Sequence, residues 1–158
     1  MDRAQLPFRS NTEGYLLDSV GNVLAQVQDG ILVFPGGGVE KDEAILDVIT
    51  RETFEETGVV IEHVRLLGTI RFVWSESWAR TEKQKLRFEQ FEGEEMHFFT
   101  GRIKEFREPI GEDKWIGELL MPVSKAIEFL ESQKPFKSEA LYREKQLGFL
   151  KTILGRFH

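Results

Sequence analysis

Between Gly37 and Val59 the chain makes a transition that few folds can accommodate: three consecutive glycines lead into a helix whose inward stripe turns from apolar to acidic. Pro35-Gly36-Gly37-Gly38 closes a short apolar run. Such a cluster marks a place where backbone bends sharply or comes very close to something else. The pattern that follows is helical, with Asp42 as the expected N-cap, an acidic first turn and Gly58 as the expected stop. Ile45, Val48 and Ile49 recur at helical spacing and share a face. The same steps continue to Glu52, Glu55 and Glu56. Carboxylates gathered at the edge of a core repel one another, and burial raises their pKa values or forces neutralisation. A hard divalent cation removes the conflict, because Mg²⁺ prefers carboxylate oxygens and keeps waters that substrate phosphates can replace. The blander reading is a solvated acidic helix end, common on protein surfaces.

The flanking segments alternate between strand and helix patterns. Residues 13–17 and 22–27 read as a hairpin across Asp18-Ser19-Val20-Gly21, and residues 31–34 as a third short strand. Residues 59–74 are β-branched and apolar, with Gly68 as a bulge or break. From Ser75 to about Glu92 the chain is polar and mixed in charge, and reads as a long loop with at most a helical turn. Strands are expected at 96–103 and 115–120. Pro122 then opens a helix to about Glu131 with Val123, Ala126, Ile127 and Leu130 on one face. A last helix from about Ser138 is expected to bury Leu141, Leu147, Leu150 and Leu154. Interleaved strands and helices indicate an α/β fold, a mixed sheet with helices packed against it.

The 158 residues suit one domain over 1–158, with no repeat or linker to divide it. A net charge of −6 argues against a duplex nucleic-acid partner but not against a nucleotide, since a bound metal inverts the local sign. The chain has no cysteine, which excludes disulfides and thiolate metal sites. The opening Met1-Asp2-Arg3-Ala4-Gln5 lacks the apolar run of a signal peptide, and no stretch approaches membrane-spanning length. The expectation is a cytoplasmic protein without a membrane partner, as monomer or homodimer.

The segment from Gly37 to Val59 resembles the Nudix box, with Gly37, Glu43, Arg51, Glu52, Phe54, Glu55, Glu56, Thr57, Gly58 and Val59 at its positions. Thr53 departs from the pattern, standing where an aliphatic residue is usual; the expectation is a small packing cost and intact chemistry. The resemblance implies the Nudix fold, an α/β/α sandwich with a mixed β-sheet and the box as loop-helix-loop. It also implies a Mg²⁺-dependent (alternatively Mn²⁺-dependent) pyrophosphohydrolase of the MutT-like kind, acting on a small nucleotide or other diphosphate. Carried over position by position, Glu52, Glu55 and Glu56 become metal ligands with the Gly37 carbonyl as a fourth. Glu52 is the candidate general base. Arg51 and Glu43 become ion-pair partners that hold the box in shape, with Arg51 counted among the catalytic group.

Outside the box, Glu92, Glu94 and Glu95 are candidates for a further ligand or base, against the reading of a solvated loop. His97 alternates with apolar neighbours, as a satisfied, half-buried strand histidine does. Phe72, Trp74 and Trp78 are either core or a stacking platform for a base. Arg9, Arg71, Arg80, Lys83, Lys85 and Arg87 are candidate phosphate contacts or solubilising charges. Among substrates, (d)NTPs with release of NMP and pyrophosphate are favoured, because the part before the box is short. ADP-ribose and diadenosine polyphosphate subgroups carry a proline or a tyrosine past the box, where this chain reads Trp74-Ser75-Glu76-Ser77. ADP-ribose, dinucleoside polyphosphate and nucleotide-sugar hydrolysis remain alternatives, as does a ligand-binding sensor without catalysis.

Overall fold

The computed structural model describes residues 2–135 and 139–157. Seven strands and four α-helices follow in the order β1 (Phe8–Leu17), β2 (Asn22–Leu24), β3 (Gln26–Gln28), β4 (Ile31–Val33), α1 (Ile45–Thr57), β5 (Val59–Val73), α2 (Glu82–Gln90), β6 (Gly93–Phe106), β7 (Leu120–Pro122), α3 (Val123–Ser132) and α4 (Ala140–Gly155). Five strands form one mixed sheet in the order β5-β6-β1-β2-β7, with β1 parallel to β6 and the other pairs antiparallel. β3 and β4 pair separately as a small hairpin, so the strand expected over 22–27 divides at Ala25 between two sheets.

Alternation along β1 sorts the core into two layers. Leu16 joins Leu24, Val59, Ile61 and Trp115 on the face covered by α1. Tyr15 joins Phe34, Phe98 and the inward residues of α3 and α4 on the other. Helices on both faces of a mixed sheet give the expected α/β sandwich. Val123, Ala126, Ile127 and Leu130 are the buried residues of α3, as its spacing predicts. In α4, Leu150 is buried while Leu147 and Leu154 are partly so; Leu141 instead faces solvent, because Tyr142 and Gln146 take the inward positions of that turn. The helix start expected at Ser138 lies outside the described residues. Among the described residues no helix is long and apolar enough to cross a membrane.

Three further expectations change. Asp42 takes a left-handed backbone (φ 67°), so α1 begins only at Ile45 with Ala44 in the N-cap position. Residues 75–92 are not one loop: a short 3₁₀ turn, Glu76–Trp78, is followed by α2. Thr81 and Gln84 form a capping box at its start, and the Arg3 guanidinium donates to the carbonyls of Phe88, Phe91 and Glu92 at its end. Residues 115–119 form no strand, since the Trp115 N–H donates to the Glu56 carbonyl at the end of α1 (2.7 Å), and pairing with β2 starts at Leu120. Gly68 sits at a register shift between β5 and β6, the expected bulge.

Gly58 ends α1 for two reasons. Its φ of 76° is left-handed, and a Cβ there would lie 1.9 Å from the Arg107 carbonyl oxygen. Gly58→Ala should therefore cost at least about 2 kcal/mol, since strain of about 1–2 kcal/mol adds to a backbone clash. Urea unfolding should show a lower midpoint with an unchanged slope.

Candidate active site

The loop from Pro35 to Val39 lies along the free edge of β1. Gly14 N–H donates to the Pro35 carbonyl (2.9 Å), Thr12 N–H to Gly37 (3.0 Å) and Val39 N–H to Ser10 (3.0 Å). The Thr12 hydroxyl also donates to the Gly37 carbonyl (2.9 Å). That carbonyl, expected as a metal ligand, thus faces β1 and accepts two hydrogen bonds. The opposite side of Gly37 meets α1 so closely that a Cβ would sit 2.5 Å from the Glu52 carboxyl carbon. Glycine is what permits this approach.

The four charged residues expected to act together divide into two groups. Arg51 grips Glu43 with two parallel bonds of 3.1 Å, and its remaining nitrogen reaches Glu52 and Glu55 at 3.1 Å each. This fork holds Glu43 below the usual carboxylate range by direct hydrogen bonding, and Arg51 acts as a brace within the helix. Glu55 points to Arg51 and away from the cleft. Glu52 and Glu56 line the cleft itself.

Glu56 has no cation partner among the described residues. The Gly36 N–H donates to its Oε1 (3.1 Å) and the Trp115 indole N–H to its Oε2 (3.3 Å). Burial, reinforced by the charge of Glu52, pushes its carboxyl up to about 7 against the lowering effect of the Gly36 N–H. Burial also raises Glu52, partly offset by Arg51. Thr53 is fully buried, and its hydroxyl donates to the Ile49 carbonyl, so the departure from the box leaves no unsatisfied group.

The cleft, about 770 Å³, draws on segments far apart in the chain. Arg9, Ser10 and Asn11 come from β1, Gly36 to Val39 from the loop, and Lys83 and Arg87 from α2. Asp113 comes from the loop that carries Trp115. Arg9 is held by Glu94 (3.1 Å), which also accepts from the Asn11 amide (2.6 Å). Glu94 is thereby a partner of the cleft's cation and does not itself line the cleft; Glu95 pairs with Arg71, and neither it nor Glu92 reaches the cleft. His97 is satisfied by Ser10 and Thr69, and Phe72 and Trp74 are core, with Trp78 stacked on Trp74 at 3.8 Å. Asp113 and Asn11 escape sequence reading, since they reach the cleft only through the tertiary fold.

Among the described residues no three His, Cys, Asp or Glu side chains converge tightly enough to enclose a metal on their own. Glu52 and Glu56 nevertheless present carboxylate oxygens of the kind a hard divalent cation takes, with room for the substrate oxygens and waters that Mg²⁺ retains. Burial raises both carboxyls, so a bound cation would favour their ionised forms against that effect.

The family model of the NUDIX domain matches residues 8–143, most of the chain. The chain belongs to the Nudix family. This Nudix chain is 50% identical over 38 residues to an RNA pyrophosphohydrolase of Thioalkalivibrio sulfidiphilus (strain HL-EbGR7), which covers 24% of the chain and 22% of that relative. It is 35% identical over 75 residues to an RNA pyrophosphohydrolase of Psychrobacter sp. (strain PRwf-1), covering 46% of the chain and 40% of the relative. The matches thus span less than half the length of these curated relatives. Its fold is shared with MutT of Bacillus halodurans (TM-score 0.57, 20% identity, 93% of this chain and 82% of that one). A structure described for MutT of Aliivibrio salmonicida and Vibrio cholerae gives a TM-score of 0.55 at 12% identity, over 93% and 96% of the two chains.

The high carboxyl of Glu56 sets a pH dependence in metal-free protein. Its folded value, about 7, lies above the ordinary 4.5, so the folded state is favoured below 4.5 and loses that advantage as pH rises through 7. The loss is on the order of 3 kcal/mol. In chelator, the melting temperature should fall between about pH 4.5 and pH 7 and level off above it. Glu56→Gln should flatten that fall, and excess Mg²⁺ should restore the midpoint at the upper pH.

Proposed function

We propose that this Nudix protein is a divalent-metal-dependent pyrophosphohydrolase acting on a nucleoside diphosphate linked to another group, with (d)NTPs as the favoured substrates and NMP and pyrophosphate as products. The observation that carries this reading is the meeting, in one cleft, of two carboxylates, Glu52 and Glu56, with three basic side chains, Arg9, Lys83 and Arg87. A diphosphate is the ligand that uses both: its oxygens pair with the basic groups, and through a metal with the acids.

A divalent cation held by Glu52 and Glu56 would neutralise the diphosphate and acidify a water for attack. Water adds to one phosphorus, the bridging P–O bond breaks, and the leaving phosphate takes the electron pair. Glu52, which touches the cleft and shares Arg51 with Glu55, is the candidate acceptor of the water's proton. Glu56 would hold the same cation as a carboxylate, oriented by the Gly36 and Trp115 N–H groups. Arg9, kept in place by Glu94, orients the substrate as phosphoryl chemistry requires. Gly37 holds the loop against β1 while keeping space for the Glu52 carboxyl.

The named relatives favour a second substrate, the 5′-diphosphate or triphosphate end of an RNA. In this case the same anhydride cleavage applies and the group beyond the cleft is a polynucleotide. A panel of canonical and oxidised nucleoside triphosphates, ADP-ribose, dinucleotides, sugar nucleotides and 5′-triphosphorylated RNA, with Mg²⁺, separates these cases by product. Glu56→Gln should lower turnover of the best substrate by about a hundredfold or more. It should retain the circular dichroism spectrum of the parent. Unchanged turnover would remove Glu56 from the metal site, and ligand binding without turnover in the parent would mark a sensor.

A further inference from the structure

A row of polar side chains crosses the sheet on the face that carries Gly14 and Leu16, and it ends in the diphosphate cleft. Strand register builds the row. Arg71 of β5 stands opposite Glu95 of β6, Glu95 opposite Ser10 of β1, and Thr69 opposite His97. Alternation along each strand keeps all five on one face. Arg71 donates to Glu95 Oε2, and Glu95 Oε1 lies 3.2 Å from His97 Nε2. The same Nε2 lies 3.1 Å from the Ser10 hydroxyl, while Nδ1 lies 3.2 Å from the Thr69 hydroxyl. His97 is buried, whereas Ser10 lines the cleft.

The contacts of Nε2 determine where the Ser10 proton goes. Glu95 is paired with a guanidinium and acts only as an acceptor, so a ring nitrogen this close to its oxygen carries hydrogen. A protonated Nε2 has no lone pair left to accept with. Ser10 therefore accepts from His97 and cannot donate to it, and among the described residues its own proton has no acceptor. The Ser10 carbonyl accepts from the Val39 N–H (3.0 Å), which fixes the backbone beneath the hydroxyl. The direction left for the O–H is the cleft. There, beside Arg9, Lys83 and Arg87, a spare donor is matched by an anionic oxygen.

We propose that Ser10 is a substrate-binding residue whose hydroxyl donates to a non-bridging oxygen of the diphosphate. His97 and Glu95 are the positioning residues that reserve its proton for that use. The inference rests on the diphosphate reading of the cleft. It adds a neutral donor of fixed direction to a site otherwise supplied with mobile cations. A lysine or arginine attracts a phosphate from many directions, whereas a hydroxyl held on its acceptor side offers its proton along one line. Ser10 thereby sets the orientation of the anhydride relative to Glu52 and Glu56. Arg71 lies outside the cleft and acts only through Glu95.

Methylenediphosphonate, whose P–C–P bridge cannot be hydrolysed, tests binding apart from turnover. It is titrated into the full chain by calorimetry, with Mg²⁺ and again in chelator. Ser10→Ala should weaken it about tenfold in both conditions, as loss of a hydrogen bond to a charged group does. Ser10→Thr keeps the hydroxyl and should restore binding. His97→Leu should also weaken the probe, but combined with Ser10→Ala it should cost nothing further. His97→Gln, whose amide N–H can replace that of Nε2, should recover most of the loss. NMR of the ring nitrogens should show Nε2 of His97 protonated in the parent. A ring protonated on Nδ1 alone overturns the proposal, and so do losses that add in the double variant. A loss seen only with Mg²⁺ assigns the hydroxyl to a metal and overturns it as well. Should His97→Leu fail to fold, the Ser10 variants and the ring spectra decide. A parent chain that does not bind the probe defeats the diphosphate reading and this inference with it. Probe binding that Ser10→Ala leaves intact defeats this inference alone.

Discussion

The ladder between the glycine loop and β1 is the contact on which the catalytic half of the molecule depends. β2 pairs with β1 only near its end, at Leu17 and Val23, which leaves the earlier edge of β1 open. Backbone groups at such an edge need partners, and residues 35–39 supply them. Spending the loop's hydrogen bonds on β1 fixes its remaining side against α1. Gly37 then packs on Glu52, and the Gly36 N–H meets Glu56. Two acids that solvent would otherwise surround become half-buried members of a cleft.

How α1 tolerates so much negative charge follows from an unequal sharing of donors. Arg51, always charged, serves Glu43, Glu52 and Glu55 through one planar fork. Glu56 lies beyond its reach and, among the described residues, receives neutral N–H groups from Gly36 and Trp115. Neutral donors satisfy its lone pairs without cancelling its charge, and burial then drives the carboxyl to about 7. The helix is thereby braced at its outer acids and left electrostatically incomplete at the inner one. Stability is given up where a cation would recover it, a common compromise at functional sites.

What was legible in the sequence was local. The apolar-to-acidic stripe, the stop at Gly58 and the bulge at Gly68 follow from spacing within one element or between neighbours, and the Glu43–Arg51 pairing from the resemblance to the Nudix box. Asp42 resembled an N-cap because residue type does not reveal a left-handed backbone. α2 escaped because none of its residues is buried, so its sequence carries no apolar period; the Thr81–Gln84 spacing was the one available sign. Residues 115–120 looked like a strand because Trp115 is apolar and buried, yet its burial is against the end of α1. The cleft was half legible. Its acids share a helix, whereas Arg9, Lys83, Arg87 and Asp113 converge from segments whose order along the chain says nothing of their meeting.

The parity of β1 gives these two halves their separate tasks. Gly14 and Leu16 face α1, where a Cβ on Gly14 would sit 3.0 Å from Ile49, so the smallest side chain lets the acid-bearing helix lie close to the sheet. Glu13 and Tyr15 face α4. Glu13 is buried without a cation partner among the described residues, and burial raises its pKa despite donors from Tyr142, Tyr15 and Gln146. Two of those donors belong to α4, so the helix is tied to β1 by a polar contact that an apolar core would not specify. The tie fixes Tyr142 in the α4 layer against Glu13 of β1. A single strand thus sets the distance between the acids of α1 and the aromatic wall of α4. β1 cannot shift its register by one residue without exchanging the two faces.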